Sequence, residues 1–138
     1  LATFYEFNLT IPSLTLRSAP AELEVALSPG RLVAGSVQFP RGCVGLVHTR
    51  ALRSRHQLFP TNIDGDVAGE GAIIPWEEDL VLEDDPYLLL LQGWSDDDSF
   101  PHTVTWRFNV LSMEGVLISR ESATLEARLR RRALGEEL

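Results

Sequence analysis

The chain contains no lysine; its twelve basic residues are all arginine. That excludes Schiff-base catalysis and a phosphate-loop lysine. Cysteine is almost as scarce. Cys43 stands alone, so neither an intrachain disulfide nor a multi-cysteine zinc site can form. No stretch approaches the ~20 consecutive apolar residues of a helical membrane span. The opening LATFYEFNLTIP has neither the basic start nor the continuous apolar run of a secretory leader, so the expectation is synthesis in the cytoplasm without export.

Catalytic signatures are missing too. There is no G-x-S-x-G elbow. His48, His56 and His102 are isolated, with no H-x-H, H-x-D or H-x-E pair to start a two-histidine, one-carboxylate metal centre. Cys43 follows Gly42 at a strand start with no basic partner in sequence, and reads as a buried structural thiol. The acid pairs Glu77–Glu78 and Asp84–Asp85 are sequence neighbours, which a strand points to opposite faces. That geometry does not suit two carboxylates flanking one glycosidic bond.

What is present is a single-domain length, 138 residues with 44% apolar content, and a segregated charge. Residues 1–60 hold six arginines and three acids, residues 61–106 twelve acids and no arginine, and residues 107–138 six arginines and five acids. A nucleic-acid binder would show a basic face, and none is visible. An acidic middle with basic flanks suits charge complementarity between copies.

Apolar residues alternate with polar ones through most of the chain, the mark of half-buried strands. Tyr5, Phe7, Leu9 and Ile11 share one face, as do Leu23, Val25 and Leu27, and Val104, Trp106, Phe108 and Val110. Val33, Val37 and Phe39 are expected on one face, where Gly35 marks a bulge or a close backbone approach. Val44, Leu46 and His48 are expected on one face with Val47 opposite. YLLLLQGW (87–94) reads as a strand buried on both faces, and residues 72–76 as a short run whose Pro75 suits a strand end or edge. In all, eight β segments appear near 4–11, 22–27, 31–39, 43–51, 56–59, 72–76, 87–94 and 103–111, with a further short strand or turn at 80–82 and a short hairpin strand at 116–118. The expectation is an all-β fold, an eight-stranded jelly-roll-like β-sandwich. An immunoglobulin-like sandwich is the alternative. The period changes at residue 119, where serine caps, leucine and alanine predict a short C-terminal helix. Two regions result, a sandwich at 1–118 and a helical tail at 119–138.

Two acidic loops are the candidate calcium ligands: Asp64, Asp66 and Glu70, with Asn62 beside them, and Asp96, Asp97 and Asp98. Neither follows the EF-hand spacing, and solvated loops are the preferred reading, with no cofactor. SDDDSFPH (95–102) is expected to join the last two long strands at one rim, with His102 bonded to an aspartate or a carbonyl. Candidate interface residues are Leu125, Arg128, Leu129, Arg131 and Arg132 of the tail, aimed at a partner's acidic loop, together with Trp76 and Trp94 at strand ends. Those two tryptophans also raise a carbohydrate-binding reading, with sugar stacked on exposed rings.

FPRGCVGLV (39–47), QLFPTN (57–62) and PYLLLLQGWSDDDSFPHTVTWRF (86–108) together resemble the small single-jelly-roll virion proteins of phages and prophages, of the minor capsid or capsid-decoration type. The resemblance spans roughly residues 4–111. It implies a homo-oligomeric, non-enzymatic building block located in the virion and partnered by copies of itself or another capsid protein. A carbohydrate-binding module with the same fold is the alternative.

Overall fold

The computed structural model describes residues 2–54, 56–83 and 87–112. The predicted tail at 119–138, with Leu125, Arg128, Leu129, Arg131 and Arg132, and the hairpin strand at 116–118 lie outside the described residues. Nine strands follow in order: β1 (Ala2–Ile11), β2 (Ala21–Ala26), β3 (Gly30–Gln38), β4 (Val47–Arg53), β5 (His56–Phe59), β6 (Val67–Ala68), β7 (Ile73–Leu82), β8 (Leu88–Ser95) and β9 (His102–Ser112).

They form two antiparallel sheets, one ordered β1-β9-β3-β7 and the other β2-β8-β4-β5, with β6 also on β4. The pairing is nested. β1 pairs with β9, β2 with β8, β3 with β7, and β4 with β5, so the chain is one long antiparallel ribbon folded over on itself. Rolling that ribbon brings β9 beside β3 and β8 beside β4. Loops 12–20, 39–46, 60–72 and 96–101 all fall at one end of the sandwich.

The strongest alternations become the core as expected. Val104, Trp106, Phe108 and Val110 of β9 are fully buried, beside Leu9 and Ile11 of β1 in the same sheet and in one core with Val25 and Leu27 from and beyond β2. Trp106 and Phe108 stack at 6.0 Å. The indole N–H of Trp106 donates to the Thr49 hydroxyl at 3.1 Å, and that hydroxyl donates to the Gln92 carbonyl at 2.7 Å. A buried polar pair is thereby satisfied across the sheets.

Four expectations are corrected. A bulge between Leu32 and Ala34 shifts the register of β3, so Leu32 and Val37 both point inward and Val33 does not join them. β4 begins only at Val47. Val44 and Gly45 adopt left-handed φ values of 49° and 72°, breaking the alternation, so Val47, Thr49 and Ala51 face the core while Val44 and Leu46 are exposed. In β8 only one face is fully buried, through Leu89 and Leu91, while Leu88, Leu90 and Gln92 are half-buried on the other. Residues 73–82 form one ten-residue strand, not a short run with a separate piece at 80–82. Pro75 is tolerated there because β7 is an edge strand.

At Gly35 the close approach is what the structure shows. The bulge lies two residues away, and a methyl group added there would sit 2.3 Å from Trp76 Cζ2 and 2.7 Å from the Arg107 carbonyl oxygen.

Candidate functional site: the loop rim

The four loops at one end of the sandwich are tied to one another through their backbones. The Leu14 N–H donates to the Asp97 carbonyl at 2.8 Å, Ser95 N–H to Thr15 at 3.0 Å, Asp96 N–H to Leu46 at 2.9 Å and Gly71 N–H to Pro40 at 3.2 Å. Side chains close the remaining gaps. The Glu70 carboxylate accepts the N–H of Gly42 at 2.5 Å and of Val44 at 3.2 Å. Arg17 donates to the Asp64 carbonyl.

SDDDSFPH does join β8 to β9 at this rim, crossing between the sheets. Asp97 organises it. Its Oδ1 accepts the N–H groups of Ser99 (2.8 Å) and Phe100 (3.3 Å), and its Oδ2 accepts His102 Nε2–H at 2.6 Å. The His102 hydrogen bond, then the Ser99 N–H, holds the Asp97 carboxyl below its ordinary range. His102 therefore secures the loop as expected. Beneath lies Cys43, fully buried; desolvation pushes its thiol up, and the nearby charges of Glu70 and Asp97 add to the effect. A raised, buried thiol is a poor nucleophile.

The six candidate calcium ligands are engaged separately, except that Asp66 and Asp96 flank the same histidine. Asp66 accepts His48 Nδ1–H at 2.6 Å, and Asp96 stands 3.6 Å from His48 Nε2. Glu70 and Asp97 are engaged as above, Asp98 accepts the Ser99 hydroxyl at 2.8 Å, and Asp64 lies 4.0 Å from Arg50. Among the described residues no three acidic, histidine or cysteine side chains converge on one point that could hold a metal ion.

The tryptophans sit differently from the strand-end platforms their positions suggest. Trp76 is buried in the core against Phe59, at 5.1 Å, beneath Gly35. Trp94 lies on the outer face of the second sheet, yet only 5% of it is exposed. His48, its cross-strand partner, stacks on it at 5.8 Å, and Arg17 and Arg50 lie over the ring at 5.1 and 5.4 Å. As ring faces for a sugar or as anchors for a partner, both are already covered by their own chain. Arginine is the right residue for this, since its planar head stacks on indole.

Sequence reasoning missed the apolar residues that the rim exposes. Leu14 and Leu16 of loop 12–20, Val44 and Leu46 of loop 39–46, and Phe100 of loop 96–101 all point to solvent. Their signal is in the sequence: large apolar residues set among the turn-forming Pro, Gly, Ser and Asp, where no strand face can take them.

No protein-family model matches the chain, and no curated protein sequence matches it. Solved structures do resemble it. A chain of the cyanophage Pam1 capsid asymmetric unit superposes with a TM-score of 0.54 at 7% identity, covering 78% of this chain and 82% of that one. A subunit of the Bacillus endospore appendages, described as disulfide-linked pili, gives 0.42 at 8% identity over 80% and 88%. Aeromonas hydrophila PliG, a periplasmic inhibitor of g-type lysozyme, gives 0.41 at 10% identity over 80% and 86%. At such identities the Pam1 match is a likeness of fold: this chain is an all-β sandwich of two antiparallel sheets with the architecture of a chain from a viral capsid.

Proposed function

We propose that the chain is a non-enzymatic structural subunit of a virus particle, with a jelly-roll fold, that works by binding copies of itself or another shell protein. The observation that carries this reading is the fold-level match to the Pam1 capsid chain across most of both chains. The nested pairing supports the finer description. Eight principal strands, first with last and second with second-last, rolled into two sheets, are what a jelly roll is built from.

The rim fits a structural role. Its acids and histidines are matched to one another and to backbone N–H groups, and its thiol is buried. The carbohydrate alternative loses its motivation with Trp76 and Trp94 covered. The proposal divides the chain into a sandwich at 1–118 and a helical tail at 119–138 that reaches a neighbour. It places the protein in the virion, as a capsid or decoration subunit of a phage.

Mass spectrometry of particles released from the source organism tests it. The expected result is this chain in the particle fraction at a copy number comparable to that of the shell protein. Its absence from particles, with the chain recovered only in the free protein fraction, would overturn the reading.

A further inference from the structure

Seven of the eight large apolar side chains that the described residues expose lie at the loop end of the sandwich. Leu14, Leu16, Val44 and Phe100 are 60, 67, 70 and 67% exposed. The eighth, Phe4, is on edge strand β1. Leu14 and Val44 are moreover fixed at φ 51° and 49°, a left-handed conformation that costs a residue with a Cβ about 1–2 kcal/mol. The Leu14 N–H bond to Asp97 and the Glu70 carboxylate on Gly42 and Val44 hold them there. The patch is therefore a rigid surface that cannot fold inward to hide itself, and exposed apolar clusters of this kind mark interaction sites.

The surroundings of the patch say what covers it. The same loops carry six carboxylates against two arginines, and Arg17 is committed to Trp94 and to the Asp64 carbonyl. The occupant must be apolar and basic together. One segment of this chain has that character: Leu125 and Leu129 recur one helical turn apart, beside Arg128, Arg130, Arg131 and Arg132.

We infer that the apolar, acidic loop rim of one copy receives the leucine- and arginine-rich segment 119–133 of a second copy. This rests on the building-block reading above and supplies its interface.

Chain direction favours a second copy over the chain's own segment. β9 starts at the rim and ends at Ser112 at the far end, about 35 Å away at the usual rise per strand residue. Six extended residues followed by the helix predicted from Ser119 carry Leu125 about 30 Å and Leu129 about 36 Å from Ser112, so only Leu129, at full stretch, would touch the near edge of its own rim. A neighbouring copy has no such limit. The far end of the sandwich also carries an acid, Glu83, but the described residues there offer no matching apolar patch. Rim-to-tail contact joins two unlike surfaces, so it closes reciprocally in a two-fold pair, closes in a ring, or propagates as a filament.

Complementation between full-length variants tests this. One variant carries Val44→Gly and Phe100→Ser at the rim; the other carries Leu125→Glu, Leu129→Glu and Arg131→Glu in the tail. All five positions lie at the exposed rim or outside the described sandwich. Val44→Gly also removes a conformational strain, so unfolding temperature is the control for intact folding. Light scattering over a concentration series is expected to show each variant's self-association weakened at least tenfold. Mixing the two should then yield a two-chain complex, since one intact rim and one intact tail remain. Wild-type mass in either variant, no two-chain species on mixing, or a wild-type chain that is monomeric throughout would overturn the inference. The composition of released particles decides the building-block reading separately, so the two can fail independently.

Discussion

Asp97 shows how a single side chain sets the rim. It answers two backbone N–H groups of its own loop and one histidine from the next strand, and it does so as a carboxylate. Its folded-state pKa is depressed, so its stabilisation is complete above the unfolded value near 3.8 and is lost as pH falls through the lower folded value. Asp97→Asn is therefore expected to flatten the acid limb of a stability–pH curve while lowering stability at neutral pH; thermal unfolding from pH 2 to 7 would show it. In the core, Thr49→Val strips the Trp106 indole of its acceptor. The cost expected in chemical denaturation is about 1–3 kcal/mol, that of a buried donor left unpaired. At Val44, Val44→Gly trades a disfavoured left-handed φ for extra freedom in the unfolded chain, with an expected net change between zero and about 1 kcal/mol of stabilisation. The His102 role was legible from its place beside an acidic loop after Pro101. Trp94 was not, because the arginines that cover it come from positions 44 and 77 residues away in sequence.

Among the elements, β1, β2 and β9 could be read with their inward faces, since apolar and polar residues alternate through most of each. The start of β3 and the start of β4 could not, for a stated reason: one extra residue at the bulge, and left-handed turns at Val44 and Gly45, each exchange inside for outside across them, while Val37 and Phe39 after the bulge do point inward as read. β8 misled differently, because its leucine run matches a strand buried on both sides while one face is only half covered. At Gly35 of β3 the Trp76 ring of β7 lies directly over the backbone. Gly35→Ala drives a methyl group into the Trp76 ring and the Arg107 carbonyl, and a loss of about 1–3 kcal/mol is expected from overpacking, measurable by urea denaturation.

For the whole molecule, the nested ribbon places every loop of one end in a single rim, and that juxtaposition no local pattern could reveal. The acidic character of 61–106 was visible in the sequence, as was the basic tail; the apolar patch between the acids became visible only once the loops were brought together. The same enclosure shields Cys43, so the folded chain is expected to resist thiol-labelling reagents and to react fully only when unfolded. If the molecule assembles through its own rim and tail, its surfaces must recognise copies of itself. Light scattering on the purified full-length chain tests that most directly. A defined multiple of 15.4 kDa that grows with concentration is the result predicted here. A mass of one chain at every concentration would contradict the account.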